Sequence, residues 1–224
     1  MGDFSTSRWA HEEFARQYRV NADIYIVERD RMLEIMKSFY RQFSGIGKGH
    51  AILDLGCGDG IAAHELLSMD RTASAILLDP SEDMLGRARE RMKGCSDVCF
   101  LRASFEELLE NNRFPVQGFD FIISSQAIHH LAMDDKERLF ALIHALLRPS
   151  GCFLNIDVVL GGTEPLETWY MKLWEEWMIG KIASLGRRDV SFQDVVRRYK
   201  EGSDNKPDTL EDQLQSLTDI GFRD

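Results

Sequence analysis

The sequence lacks long apolar runs and the features of a secreted, disulfide-linked protein. No apolar stretch in its 224 residues approaches the roughly 20 residues needed to cross a bilayer. The N-terminus, MGDFSTSRWAHEEF, is too polar for a secretory signal. The four cysteines show no CxxC spacing, which argues against a zinc site and a disulfide framework. We therefore expect a cytoplasmic protein with no metal site and no membrane association.

Basic residues are also in the minority, since 27 Lys and Arg stand against 37 Asp and Glu and leave a net charge of −10. This charge argues against a broad basic face for nucleic acid and favours a small-molecule substrate. No internal repeat or low-complexity segment is evident. The length suits a single domain with one substantial core.

After residue 50, short apolar runs alternate with helical stretches, which is typical of a parallel sheet with crossover helices. Strands are predicted at 51–55, 75–78, 98–101, 119–124 and 152–158. Helices are predicted between them at 60–69, 81–93 and 135–147. The pattern predicts an α/β fold, Rossmann-like and doubly wound, with a mostly parallel sheet and helices on both faces.

Helices also flank this core. The spacing of apolar residues predicts two helices within 8–43 and a helical addition at 164–184, 191–200 and 209–219. We divide the single domain into an N-terminal helical cap (1–49), a cofactor-binding core (50–160) and a helical substrate or lid segment (161–224).

The segment 51–60, AILDLGCGDG, combines a strand with a glycine loop. In an open parallel sheet, ligands bind beyond the carboxyl ends of the strands, and the first strand normally supplies such a loop. Glycine lets the backbone turn tightly and lie against a ligand. The dinucleotide pattern GxGxxG would require glycine where Ile61 stands, which argues against NAD.

Two acidic residues narrow the ligand further. Asp54, two residues before Gly56, would repel a phosphate but attract an ammonium. Asp79, at the end of the second predicted strand, can accept hydrogen bonds from both hydroxyls of a ribose, with helix capping as the alternative. S-adenosylmethionine (SAM) has an ammonium and no phosphate, so these residues favour SAM.

Four motifs occur in order across residues 50–158: ILDLGCGDG, ILLDPSEDML, FDFIISSQAIHHL and LLRPSGCFLNID. Together they resemble class I SAM-dependent methyltransferases. The flanking segments YIVERDRMLEIM and GGTEPLETWYMKLWEEWM resemble a subgroup related to carboxy-SAM synthase and its uncharacterised methyltransferase relatives. The resemblance implies methyl transfer from SAM to an oxygen or nitrogen of a small acceptor. Carboxy-SAM synthase-like modification of SAM and a non-catalytic SAM-binding module are the alternatives.

The resemblance also implies roles for individual residues in the first two motifs. The backbone of Gly56, Cys57 and Gly58 would approach the methionine part of the cofactor. Asp79 would hold the ribose, and Pro80 or Ser81 would flank the adenine.

Further cofactor contacts are implied outside these motifs. Ser104 occupies the place of the family's usual acidic partner for the adenine amino group, with Phe105 beside it. Ser125 matches a position that contacts the amino acid end. Tyr25 matches a tyrosine that closes over the cofactor, with helix packing as the alternative, and Arg198 matches an arginine over its charged end.

Methyl transfer needs a base only if the acceptor must lose a proton during attack. His129 and His130 are the candidates, because they follow the fourth strand and titrate near neutral pH. The alternative is that they shape the loop and pack against the next helix.

Two features concern the C-terminal part. Trp169, Tyr170, Trp174 and Trp177 predict a helix face packed on the sheet or on a second copy in a homodimer, with a substrate pocket as the alternative. LTDIGFRD resembles the segment before a final antiparallel strand pair, so we expect the chain to be truncated at Asp224.

Overall fold

The computed structural model describes residue 4 and residues 7–111, 114, 118–201 and 204–223. In this part of the chain the strands are β1 (Ala51–Leu55), β2 (Ser74–Asp79), β3 (Val98–Arg102), β4 (Phe119–Ser125) and β5 (Leu147–Ile156). The helices are α1 (Glu12–Tyr25), α2 (Arg29–Phe43), α3 (Ile61–Met69), α4 (Glu82–Arg91), α5 (Phe105–Asn111), α6 (Met133–Leu146), α7 (Glu164–Ser184), α8 (Phe192–Glu201) and α9 (Leu210–Ile220).

The strands form one parallel sheet in the order β3-β2-β1-β4-β5. The winding reverses between β1 and β4, where Leu53 pairs with Ile122. Ligands of open α/β sheets bind at such a switch point, beyond the carboxyl ends of the strands. The predicted fold class is therefore confirmed, and the switch point locates the site.

Both faces of the sheet are covered, which explains why its central strands read as continuous apolar runs. Helices α2, α3 and α4 pack on one face, and α5, α6 and α9 pack on the other. Ile52, Leu53 and Leu55 of β1 are at most 1% exposed. This burial makes β1 a rigid support for the glycine loop that follows it.

A third cluster lies where α7 and α8 meet α1, with Ile24, Met178 and Val195 buried in it. The indole nitrogen of Trp174 donates to the carbonyl of Tyr25 at 2.9 Å, and that of Trp177 donates to the carbonyl of Ile24 at 3.1 Å. The tryptophans therefore attach α7 to the end of α1, beside the carboxyl edge of the sheet.

The structure differs from the predicted elements in three places. Helix α5 was not predicted. Strand β5 begins at Leu147, five residues earlier than expected, with an irregularity in its pairing to β4. Helix α6 begins at Met133, two residues earlier than predicted. Its N-cap residue, Ala132, makes no side-chain hydrogen bond to the helix. None of the helices in the described residues combines the length and apolarity required to span a bilayer.

Candidate active site

A cavity of about 380 Å³ opens beyond the carboxyl ends of β1, β2 and β4. Its volume lies within the range of about 300–1,000 Å³ typical of small-ligand pockets. Ten of the residues singled out in the sequence line it: Asp54, Gly56, Cys57, Gly58, Asp79, Pro80, Ser104, Phe105, Ser125 and His130. We call this the first cavity.

The glycine loop adopts a backbone that other residues rarely adopt. Gly56 and Gly58 have φ values of +69° and +54°. A Cβ on Gly56 would lie 2.4 Å from the Cβ of Ala127, so the loop after β1 passes in direct contact with the segment after β4. A Cβ on Gly58 would meet no atom within 4 Å, because that side of the loop faces open space. Close packing on one side and open space on the other suit a loop that supports a ligand.

Asp79 joins the ends of β1 and β2. One carboxylate oxygen accepts from the N–H of Gly58 and the other from the N–H of Ser81, both at 2.9 Å. Burial raises the pKa of Asp79 to about 6, although these two hydrogen bonds lower it. Each carboxylate oxygen has a second lone pair, so Asp79 can still accept from the hydroxyls of a ligand.

Asp54 is the other buried acid of the first cavity, with 1% of its surface exposed. Its Oδ2 accepts from the N–H of Ala63 at 3.2 Å, whereas Oδ1 is buried without a hydrogen-bond partner. Burial raises the pKa of Asp54 to about 7. A buried, unpartnered acceptor is costly unless a ligand satisfies it, and an ammonium donor would do so. The residues present therefore fit the amino acid end of SAM.

Ser104 has a local partner that the sequence analysis overlooked. Its hydroxyl accepts from the N–H of Glu107 at 3.1 Å, while the carboxylate of Glu107 accepts from the N–H of Ser104 at 2.7 Å. This reciprocal pair is a capping box, and it begins α5. The S-x-x-E spacing was present in the sequence and could have predicted the helix.

A second cavity of about 350 Å³ adjoins the first. Both are lined by Trp9, Tyr18, Ile26, Gln126 and His130. The second cavity, unlike the first, is lined by the aromatic residues Phe14, Tyr25, Tyr170, Trp174 and Tyr199.

Three of the predicted site residues, Tyr25, His129 and Arg198, line this second cavity and not the first. Tyr25 and Arg198 also border a more polar third cavity. The structure thus brings most predicted cofactor contacts together in the first cavity but places Tyr25 and Arg198 outside it.

A histidine and a carboxylate face each other in the second cavity. Nδ1 of His129 lies 2.5 Å from a carboxylate oxygen of Asp157, and the N–H of His129 donates to the other oxygen at 2.8 Å. A carboxylate only accepts, so Nδ1 carries a proton, and in the neutral ring Nε2 then presents a lone pair. His129 follows β4 and Asp157 follows the neighbouring β5, so their adjacency results from the sheet order.

His130 is held differently. Its Nδ1 lies 2.8 Å from the carbonyl oxygen of Asp204, which can only accept, so Nε2 is again unprotonated. Burial lowers the pKa of His130 to about 3, with a further contribution from His129. His130 therefore remains neutral at physiological pH, and of the two histidines only His129 has a carboxylate partner for Nδ1.

Sequence reasoning missed Asp157 and Gln126. Asp157 lies near the end of the fifth predicted strand, 152–158, and an acid at the end of a strand adjacent to the histidine strand was the available signal. Gln126 has a φ of +56°, uncommon for a non-glycine residue, and it lines both cavities. No group of three or more His, Cys, Asp or Glu side chains suited to a metal occurs among the residues that the structure describes.

Comparison with known proteins finds a methyltransferase domain in this chain. A sequence model described as a methyltransferase domain matches residues 52–151. An uncharacterised methyltransferase of Schizosaccharomyces pombe is 33% identical over 119 residues, which cover 49% of this chain and 43% of that protein. The ubiquinone/menaquinone biosynthesis C-methyltransferase UbiE of Francisella tularensis subsp. novicida is 29% identical over 185 residues, covering 80% of this chain and 69% of that protein.

The match to the first of these relatives thus spans less than half of that protein's length. Among solved structures, an O-methyltransferase family protein from Burkholderia thailandensis superposes with a TM-score of 0.68 at 14% identity, over 98% of this chain and 57% of that one. This likeness extends the shared fold to the flanking helices. The matched model, the order of the strands and the glycine loop together show that residues 52–151 are a SAM-dependent methyltransferase domain, and the chain as a whole is similar to class I methyltransferases.

Proposed function

We propose that this protein transfers the methyl group of SAM to an oxygen or nitrogen of a small, largely aromatic acceptor in the second cavity. The observation that carries the proposal is the contact between the two cavities, which share five lining residues and have the His129–Asp157 pair on the acceptor side. In-line transfer requires the two ligands to meet end to end, and adjoining cavities support that arrangement.

The lining of the second cavity supports an aromatic acceptor. Tyr25, Tyr170 and Trp174 offer ring faces and edges, which pack well against a planar ligand. The charged side chains there are few, and two of them are already paired: Arg8 with Asp204, and Asp157 with His129. An acceptor with an aromatic body and a single ionisable group fits this chemistry.

His129 is the proposed general base. Its Nδ1–H is directed to Asp157, which leaves Nε2 to take the proton of an acceptor hydroxyl or amine. SAM, when bound, supplies a methyl carbon activated by a positive sulfur. The acceptor atom would bond to that carbon as the carbon–sulfur bond breaks with its electron pair on sulfur, and Nε2 of His129 would take the proton of the acceptor. Asp157 stabilises the imidazolium that forms.

The cofactor contacts are proposed for the first cavity. Asp54 would accept from the ammonium through its unpartnered Oδ1, and Asp79 would accept from the ribose hydroxyls. The open side of Gly58 would admit the methionine part. Pro80 and Phe105 are proposed for the adenine, and the hydroxyl of Ser125 for the amino acid end, as lining residues of the same cavity.

A carbon acceptor is a second candidate. The UbiE proteins that this chain resembles are named as C-methyltransferases. Removal of a phenolic proton by His129 would also activate an adjacent ring carbon, so the same base serves either atom.

The test is incubation of the protein and SAM with paired aromatic acceptors that offer a hydroxyl, an amine or only a reactive ring carbon. We expect release of S-adenosylhomocysteine with at least one acceptor, and mass spectrometry of the product would locate the methyl group. Prephenate is included, because conversion of SAM to carboxy-SAM would identify the carboxy-SAM alternative instead. Binding of SAM without turnover by the whole acceptor set and by prephenate would contradict the proposal.

A further inference from the structure

A short segment crosses the junction of the two cavities. Residues 204–208, here called the strap, connect the region after α8 to the start of α9. Asp204 and Lys206 line the first cavity, and Asn205 lines the second. The sequence predicts helices on either side of this polar stretch, at 191–200 and 209–219. Its contacts give the stretch a structural role.

Lys136 of α6 holds the strap through two contacts of its ammonium group. This residue lies in α6, on the face of the sheet opposite α3, and its side chain is fully buried. Its ammonium donates to the carbonyl of Lys206 at 2.6 Å and forms an ion pair with the carboxylate of Asp208. A lysine is almost never fully buried unless its charge is paired. Helix α6 therefore holds the strap through a charged contact.

The strap in turn holds the two histidines. The N–H of Lys206 donates to the carbonyl of His129 at 2.7 Å, and the carbonyl of Asp204 accepts from Nδ1 of His130 at 2.8 Å. These bonds reach both the backbone of the proposed base and the ring of its neighbour. Displacement of the strap would remove a backbone contact of His129 and the Nδ1 partner of His130 together.

The N-terminal segment anchors the other end of the strap. Nε of Arg8 donates to the carboxylate of Asp204 at 2.8 Å, and Nη1 of Arg8 donates to the carbonyl of Arg198 at 2.9 Å. Trp9, the next residue, packs edge-on against His130 with ring centroids 5.5 Å apart. The strap is therefore held from α6 on one side and from the N-terminal segment on the other.

We propose that Lys136 is a positioning residue: through the strap it holds the backbone of His129 and the ring of His130 in place beside the junction of the cofactor and acceptor cavities. Lys136 itself lines neither cavity, so it acts through residues 204–208. The effect on catalysis rests on the proposed role of His129. The effect on the position of the histidines does not.

The test uses the full chain and the variant Lys136→Met, with Lys93→Met as the matched control because Lys93 is 72% exposed and distant from the strap. The first readout is the titration of His130 by NMR, with its signals assigned from a His130→Gln variant. In the native protein the ring is enclosed by Trp9 and Asp204, with His129 and Asp157 as the nearest other titratable groups.

In the native protein and in Lys93→Met, we expect no His130 titration between pH 5 and 8. In Lys136→Met the ring becomes hydrated, and its midpoint is expected to rise toward the ordinary value of about 6.5. Amide exchange in residues 126–131 should accelerate at least about tenfold. A folded Lys136→Met protein with unchanged His130 titration and unchanged exchange would overturn the proposal.

Loss of one partner of a buried ion pair can prevent folding. The double variant Lys136→Met/Asp208→Leu avoids this problem, since it leaves no unpaired buried charge. The same two readouts apply to it: release of the strap supports the proposal, and an undisturbed His130 overturns it.

The catalytic readout is separate. Once an acceptor is known, kcat should fall at least about tenfold in the variants while the acceptor KM changes less, because orientation rather than cavity lining is lost. If the NMR and exchange results respond but the native protein methylates no acceptor, the proposed function fails and the positioning of the histidines stands. If an acceptor is methylated equally well by native and variant proteins, the catalytic part of the positioning proposal fails.

Discussion

The carboxylate of Asp157 receives both the ring Nδ1–H and the backbone N–H of His129, at 2.5 Å and 2.8 Å. This two-point contact fixes the ring as well as the segment that carries it. It also determines which nitrogen faces the second cavity. The first prediction concerns this pair.

Asp157→Asn should lower kcat by about 10²-fold or more, because the amide can no longer hold His129 in the tautomer with a free Nε2. Affinity for S-adenosylhomocysteine should not change, since Asp157 lines only the second cavity. Steady-state kinetics and calorimetric titration measure the two effects. Asp219→Asn, on the exposed face of α9, is the matched control. Unchanged kcat in Asp157→Asn would remove the pair from the mechanism.

Asp54 should make cofactor affinity depend on pH. Its pKa of about 7 means that it gains a proton as the pH falls through neutrality, and the protonated form attracts an ammonium less. Affinity for S-adenosylhomocysteine should therefore fall about tenfold from pH 8 to pH 6. Asp54→Asn should bind more weakly at pH 8 and show a flatter profile between pH 6.5 and 8. An equally steep profile in this variant would assign the dependence to another group.

The two glycines of the loop provide a matched pair. Gly56→Ala would place its Cβ 2.4 Å from that of Ala127, in a backbone with positive φ, so we expect destabilisation of at least about 2 kcal/mol. Gly58→Ala has open space around its Cβ and should cost only about 1 kcal/mol of backbone strain. Its Cβ should instead obstruct the ligand and weaken S-adenosylhomocysteine binding.

Urea unfolding and calorimetry would measure stability and binding separately for the two glycine variants. The order of the effects is the test: the larger loss of stability is expected in Gly56→Ala, and a fully folded protein with impaired binding is expected in Gly58→Ala. Equal losses of stability would contradict the assignment of the two sides of the loop.

A substitution at Arg198 tests whether this residue contacts the cofactor or the acceptor. Since it lines the second cavity, Arg198→Met should raise the acceptor KM severalfold and leave S-adenosylhomocysteine affinity unchanged. Arg197→Met is the control, because that neighbouring side chain is 62% exposed and paired with Asp194. A loss of cofactor affinity in Arg198→Met would instead support the role over the cofactor that the resemblance implied.

The fold was largely predictable because its signals are local. The buried strands β1, β2 and β4 are short apolar runs, and their alternation with helical stretches specifies a parallel sheet. The exceptions have local causes as well. Helix α5 was missed because the capping box at Ser104 and Glu107 was not recognised. Strand β5 starts early because the stretch 147–151 is already part of the strand.

The candidate site divided into predictable and unpredictable parts in the same way. By itself, the sequence determined the glycine loop, the two acids Asp54 and Asp79, and the resemblance to methyltransferases, since these depend on residues within or directly after consecutive strands. Only the tertiary structure decided the partners of the histidines. His129 meets Asp157 from 28 positions away, and His130 meets Asp204 from 74 positions away. Such contacts depend on strand order and on the packing of α6 beneath the strap, and no local pattern encodes either one.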